Sequence, residues 1–253
     1  ATAMLKGILK SGEVEASDMI ASAKSDKTRE KIEKELGIRK AANNAQVVDF
    51  ADVVFLAVKP QFLEGVLDEI RGSVKAGQIF ISIAPGKTLQ WLGERLGENT
   101  KVIRTMPNTP AMVGEGMTAL CVNELITEEE TALAVKLCDT FGKTEVIPEH
   151  LMDAVVGVSG SSPAYVFMFL EAMADAAVAD GMPRAQAYKF AAQSVLGSAK
   201  LMQETGKHPG ELKDMVCSPA GTTIQAVRVL EEKGFRSAVI EAQTECVKKA
   251  KGM

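Results

Sequence analysis

The sequence predicts an α/β domain with a doubly wound parallel sheet, followed by an all-α domain. Three observations carry this. Apolar runs such as Val53–Val58 and Ile79–Ile83 alternate with helix-period segments through the first half. Those runs are continuous, without the polar alternation of a half-exposed sheet, so they read as strands covered on both faces. Beyond about Glu149 the strand pattern stops and only helical periodicity continues. The boundary therefore falls near Pro148, dividing residues 1–148 from 149–253.

In order, Met4, Leu5, Ile8 and Leu9 share one face of a helix over residues 1–10, which Ser11-Gly12 ends. A short strand is expected at Asp18–Ala23, a charged helix at Asp26–Leu36 and a strand at Val53–Val58. After Pro60 a helix carries Phe62, Leu63, Val66, Leu67 and Ile70. Strands at Ile79–Ile83 and Lys101–Thr105 flank a helix at Leu89–Leu96. Met117–Val122 and Thr144–Ile147 read as two more strands around a helix at Glu128–Phe141. In the second half Pro163–Asp180 is apolar nearly all round, so it is expected to be buried, in a domain centre or between subunits. Helices at Arg184–Gln203, at Thr222–Lys233 and from Phe235 onward complete the chain.

At 253 residues, 46% hydrophobic and 25% charged, the composition is globular. A net charge of −4 argues against nucleic-acid binding, which needs clustered positive charge. The longest uncharged stretch, Ala154–Leu170, is interrupted by Gly157, Ser159, Gly160, Ser161, Ser162 and Pro163. It reads as too short and too polar for a bilayer, so no membrane is expected. Cys121, Cys138, Cys217 and Cys246 are scattered, and neither His150 nor His208 stands at ligand spacing from them. No metal site and no disulfide framework are expected, and the thiols are expected to be reduced and mostly buried. No signal peptide is visible, and a cytoplasmic location is expected.

A doubly wound sheet binds ligands beyond the carboxyl ends of its strands. Those ends are Ser22-Ala23-Lys24-Ser25, Ala57-Val58-Lys59-Pro60, Ile83-Ala84-Pro85-Gly86 and Thr105-Met106-Pro107-Asn108-Thr109-Pro110. Any one alone is ordinary turn chemistry, but four at successive ends read as a ligand crevice. A dinucleotide fold would also carry a Gly-x-Gly-x-x-Gly loop for the pyrophosphate, and these residues contain none. An NAD-specific second strand ends in a carboxylate, whereas here it ends in Ser22 and Lys24. A hydroxyl and an ammonium suit a 2′-phosphate, hence NADP; a solvated lysine on a turn is the plain alternative. In the helical half a helix ends at Val216, a loop of small residues comes next, and a new helix opens on Thr222 and Thr223. Unpaired N–H groups at such a start suit a carboxylate. One threonine suffices as a cap, which leaves the other for a ligand.

Ser218-Pro219-Ala220-Gly221-Thr222-Thr223, with Ala226, Leu230 and Glu231, resembles the signature of the pyrroline-5-carboxylate reductase family. The resemblance extends through Ala57–Pro60, Arg104–Asn108, Ser159–Tyr165 and His208–Gly210. It implies a Rossmann-like first domain and a helical substrate-binding and dimerisation domain. Ala1-Thr2-Ala3-Met4 is similar to the residues just after the family's Gly-rich loop, so the first strand and that loop are expected to be missing. Pro85 stands where the family usually has alanine and Ala220 where glycine is commoner.

The implied activity is hydride transfer from NADPH, with NADH possible, to the imine of 1-pyrroline-5-carboxylate, giving L-proline. The implied cofactor contacts are Ser22, Lys24 and Asn44 around the adenosine, with Ala57, Val58, Lys59, Pro60, Ala84, Pro85 and Gly86 along the nicotinamide end. The implied substrate contacts are Glu149, Met215, Ser218, Thr222 and Thr223, the Thr223 hydroxyl serving the ring nitrogen. The implied assembly is a homodimer through the helical domain, grouped into a decamer. A hydroxyacid dehydrogenase is disfavoured, since its catalytic lysine has no counterpart among Glu171, Asp175 and Asp180 on the Pro163–Asp180 helix. A nucleotide-binding or purely oligomeric protein without turnover is the alternative of another class.

Overall fold

The computed structural model describes residues 1–252. It forms two compact units, Ala1–Gly160 with residues 249–252, and Ser161–Lys248. The expected boundary at Pro148 lies a short way upstream, and residues 149–160 pack with the first unit.

The first unit opens with α1 (Thr2–Ser11), which buries Met4 and Ile8 and stops at Gly12, where the backbone turns left-handed at φ 73°. A 3₁₀ turn at Ala16–Asp18 commits the Asp18 N–H to Glu15, so the expected strand shrinks to β1 (Ile20–Ala21). Next comes α2 (Asp26–Leu36), capped by the Ser25 side chain. Two further elements carry almost no sequence signal. β2 (Arg39–Lys40) is a charged dipeptide paired in parallel with β1. α3 (Asn44–Phe50) spans only 7 residues, too few to display a period. Its start is marked by the Asn43 side chain, which accepts the Gln46 N–H.

A five-stranded sheet is laid down in sequence order: β3 (Val53–Leu56), β4 (Ile79–Ser82), β5 (Lys101–Met106), β6 (Gly116–Val122) and β7 (Gly142–Val146). β3, β4 and β5 are parallel, joined by α4 (Pro60–Ile70) and α5 (Leu89–Leu96). β6 runs against β5, because the link over 107–115 is too short for a parallel crossover. β7 is again parallel to β6, across α6 (Glu128–Asp139). Alternation along the strands fills both faces. Val54, Leu56, Phe80 and Val102 pack with Leu63, Leu67, Ile70, Leu92 and Leu96. Ile79, Ile81, Ile103 and Leu120 pack with Ala134 on the other side. Cys121 and Cys138 are buried, and burial pushes both thiols up to about 12. Cys217 and Cys246 are only half-buried, so the expectation of mostly buried thiols holds for two of the four.

α7 (Met152–Val155) and a π-helical turn at Val156–Gly160 end the continuous stretch of this unit. The second unit contains α8 (Ser162–Ala179), α9 (Arg184–Thr205), α10 (Pro209–Val216), α11 (Thr222–Glu232) and all but the last two residues of α12 (Phe235–Ala250). α8 buries only Ala174, while Phe167 and Met168 stand 65% and 70% exposed, so α8 is not the centre of a domain. Between α8 and α9 lies a groove of about 510 Å³ lined by Ala164, Phe167, Met168, Leu170, Tyr188 and Ala192. The helical run Glu149–Ala179 also has the length and composition of a membrane-crossing helix. Ala154–Leu170 alone reads as too short because the apolar surface continues through Met173 and Val178.

Gly142 pairs with Gly116 across β6 and β7, and a Cβ on Gly142 would meet the Gly116 carbonyl oxygen at 1.9 Å. Gly142→Ala must break this pairing or shift β7. Overpacking of this kind costs about 3 kcal/mol, and a thermal melt is expected to drop by roughly 6–12 °C. An unchanged melt would show that the β6–β7 pairing contributes nothing to stability.

Candidate active site

Two strand ends of the first unit, those of β1 and β3, meet α4. Ser22 and Lys24 leave β1, and the Lys24 ammonium lies 5.1 Å from the centroid of the Phe62 ring on α4. Asn44, the first residue of α3, gives its backbone N–H and its Nδ2 to Glu69 of α4, at 3.2 and 2.7 Å. α4 itself opens at Lys59-Pro60 without a side-chain cap, leaving first-turn N–H groups beside the end of β3. The proline suits that first position, where no N–H is needed.

At the end of β4, Pro85 and Gly86 make an exposed turn with Gly86 at φ 72°. The Ser82 carbonyl accepts the Thr105 hydroxyl at 3.1 Å, which locks the start of this loop to β5. Trp91 on α5 lies between two cations, Lys87 at 4.1 Å and Arg95 at 4.3 Å. An ammonium, a hydroxyl and uncapped helical N–H groups are the donors that a phosphorylated dinucleotide requires, so these residues fit one. Phe62, Lys87 and Trp91 carry no site signal in the sequence; Phe62 and Trp91 read only as part of a helical stripe.

In the second unit α10 ends at Cys217, and Ser218–Gly221 forms a tight turn closed by the Gly221 N–H on the Ser218 carbonyl at 3.1 Å. Pro219 takes the position whose φ it pre-sets, and Ala220 comes next at φ 55°. Among the described residues Ala220 is the one non-glycine in that left-handed region. A Cβ on Gly221 would lie 2.3 Å from Ser218 Oγ, so the Ser218 hydroxyl overhangs the start of α11. Gly221 is the N-cap there, without any side-chain cap bond and with no acidic residue in the first turn. Neither Thr222 nor Thr223 therefore caps the helix. The expectation that one of them would do so is corrected, because glycine already occupies the capping position.

Four residues named from the sequence, Met215, Ser218, Thr222 and Thr223, thus lie along one turn and its flanking helix ends. Glu149 belongs to the first unit, where its Oε1 accepts the Leu89 N–H at 2.8 Å and Arg104 Nη1 at 2.9 Å.

The turn also yields a stability test. The left-handed conformation costs an L-residue about 1–2 kcal/mol, while glycine loses roughly 0.4–1 kcal/mol more in ordering the chain. Ala220→Gly is expected to stabilise the protein by the difference, about 0.5–1 kcal/mol, read from urea unfolding. A glycine variant less stable than the parent would contradict a strained Ala220.

Comparison with known proteins finds relatives along the whole chain. The family described as pyrroline-5-carboxylate reductase dimerisation matches residues 149–253. The family described as NADP oxidoreductase, coenzyme F420-dependent, matches residues 1–86. The chain is 54% identical over 248 residues to the pyrroline-5-carboxylate reductase of Escherichia coli (strain K12), covering 98% of this chain and 92% of that one. The solved pyrroline-5-carboxylate reductase of Coxiella burnetii superposes with a TM-score of 0.94 at 31% identity, over 99% and 93% of the two chains. A crystal structure of the Plasmodium falciparum pyrroline carboxylate reductase with NADP bound superposes at 0.89 and 27% identity, over 99% and 93%. These full-length likenesses lead to one conclusion: the chain belongs to the pyrroline-5-carboxylate reductase family of NAD(P)H-dependent oxidoreductases.

Proposed function

We propose that this protein reduces 1-pyrroline-5-carboxylate to L-proline with NADPH. In this reading it works in the cytoplasm as a homodimer through residues 149–253, grouped into a decamer. The uncapped N-terminus of α11, beneath the Ser218 hydroxyl and flanked by Thr222 and Thr223, carries the proposal. The exposed apolar faces of α8 and α9 support the dimer, since surfaces of that kind mark interfaces.

The nicotinamide supplies the hydride when bound. Ser22 and Lys24 hold the adenosine end, with Lys24 kept in place by the Phe62 ring. Ala57–Pro60 and Ala84–Gly86 line the nicotinamide end. The first-turn N–H groups of α11 and the Ser218 hydroxyl hold the ring carboxylate, where the positive end of the helix dipole favours negative charge. The Thr223 hydroxyl bonds the ring nitrogen. Met215 contributes mainly through its backbone.

With the imine already protonated, hydride from a bound nicotinamide would add to its carbon and the π pair would become the nitrogen lone pair of the secondary amine. These groups orient the ring and need supply no strong acid.

Thr223→Ala is expected to keep the fold and lower kcat/KM for the imine by about tenfold to a hundredfold, the worth of one bond to a charged group. Thr222→Ala is expected to be milder. Wild-type kinetics in both variants would remove α11 from the site.

Lys24→Glu is expected to raise the KM for NADPH far more than that for NADH, through repulsion of the 2′-phosphate. Equal changes for both cofactors would make Lys24 a surface charge only.

A further inference from the structure

Glu149 makes two bonds through one oxygen, and both reach well beyond its own segment. The Leu89 N–H that it accepts is 60 residues away in sequence, and Arg104 is 45 away. Leu89 is the first residue of α5, so its N–H is one of the donors a helix start leaves unpaired. The Thr88 side chain serves the Trp91 N–H instead, and Glu149 serves Leu89. Arg104 lies on β5 opposite Cys121 of β6, and its side chain is only 9% exposed. A guanidinium that buried fixes the carboxylate it pairs with, because a buried charge without a partner is costly.

The loop between β4 and α5 is Ile83–Thr88. Its start is fixed to β5 through Ser82 and Thr105, and its end is fixed to β5 through Leu89, Glu149 and Arg104. Between these anchors stand Pro85, which has no N–H, and Gly86, with open space around its Cβ position. Left to itself, a Pro-Gly turn with nothing packed against it would sample many backbone states.

We propose that Glu149, held by Arg104, is a positioning residue for the Ala84–Gly86 backbone. It fixes the end of this loop before cofactor binds, so that less freedom is lost on binding, and this role replaces the substrate contact that the family resemblance implies for Glu149. The inference rests on reading Ala84–Gly86 as the nicotinamide end.

Three variants of the full chain test it. Glu149→Ala removes the acceptor, and Glu149→Gln keeps an acceptor but removes the charge that holds Arg104. Leu89→Pro deletes the donated N–H and exchanges a half-buried apolar side chain for a smaller one, at a first-turn position that tolerates proline after an extended Thr88. Trp91 is the single tryptophan of the chain and lies on α5, two residues from Leu89, so quenching of its emission reports NADPH binding directly.

Glu149→Ala and Leu89→Pro are expected to raise the Kd and KM for NADPH by about tenfold, the worth of roughly one hydrogen bond to a charged group. Glu149→Gln is expected to fall between them and wild type. The KM for the imine is expected to stay within about twofold in all three. A raised imine KM with unchanged NADPH affinity would overturn the proposal and make Glu149 a substrate contact. Unchanged affinity for both ligands in a folded but less stable variant would make the pair purely structural, as would failure of all three to fold. Wild-type protein that binds NADPH but does not reduce the imine would instead count against the proposed function.

Discussion

Parallel strands covered on both faces can offer a ligand polar backbone only where they stop, and the chemistry of the first unit obeys that constraint. β4 is buried at every residue and β5 at all but its ends, so neither presents a side chain to solvent along its length. What remains is the row of carboxyl ends, where Ser22, Lys24, Ala57–Pro60 and Ala84–Gly86 fall. The helices that cover the strands then acquire a second task. α4 seals one face with Leu63, Leu67 and Ile70, and it also carries Phe62 and Glu69, which hold Lys24 and Asn44. One amphipathic helix therefore serves the core and orders the rim.

The two ends of the proposed chemistry use the same backbone device. Pro85-Gly86 in the first unit and Pro219-Ala220 in the second each place a residue of preset φ before a left-handed one. The result in both is a short, exposed turn that ends at or near a helix start, α5 in one case and α11 in the other. Glycine meets the requirement without strain at position 86, whereas Ala220 meets it with a Cβ in a crowded region of conformational space. The Ser218 hydroxyl then fills the space that a side chain on Gly221 would need, so the turn and the helix start form one rigid piece.

Much of the fold was legible because burial writes a period into the sequence. α2 and α5 have the bounds that their patterns suggest, and the principal strands agree within a residue or two. β2 and α3 were not legible, since two charged residues and a single turn and a half of helix leave no period to read. The reversal of β6 was hidden for a different reason: strand direction depends on the length and path of the preceding link, not on the strand's own residues. At the site, Ser218–Thr223 stood out as a run of small residues ahead of a helix. The ties of Glu149 to Leu89 and Arg104 did not, because a contact between residues so far apart in sequence has no local signature. The absence of a threonine cap on α11 was equally invisible, for it depends on where the helix begins to within one residue.

The exposed face of α8 and α9 has a consequence in mass action. Phe167, Met168, Tyr188 and Phe190 are ordinary core residues in character, yet within one chain they meet water. A second copy that covers them binds the folded form and not the unfolded one, so association and folding become a single linked equilibrium. The midpoint of unfolding is then a property of protomer concentration as much as of sequence. Dilution acts on such a protein as a mild denaturant, and a substitution on α8 that touches no ligand can lower activity by depleting the assembled form.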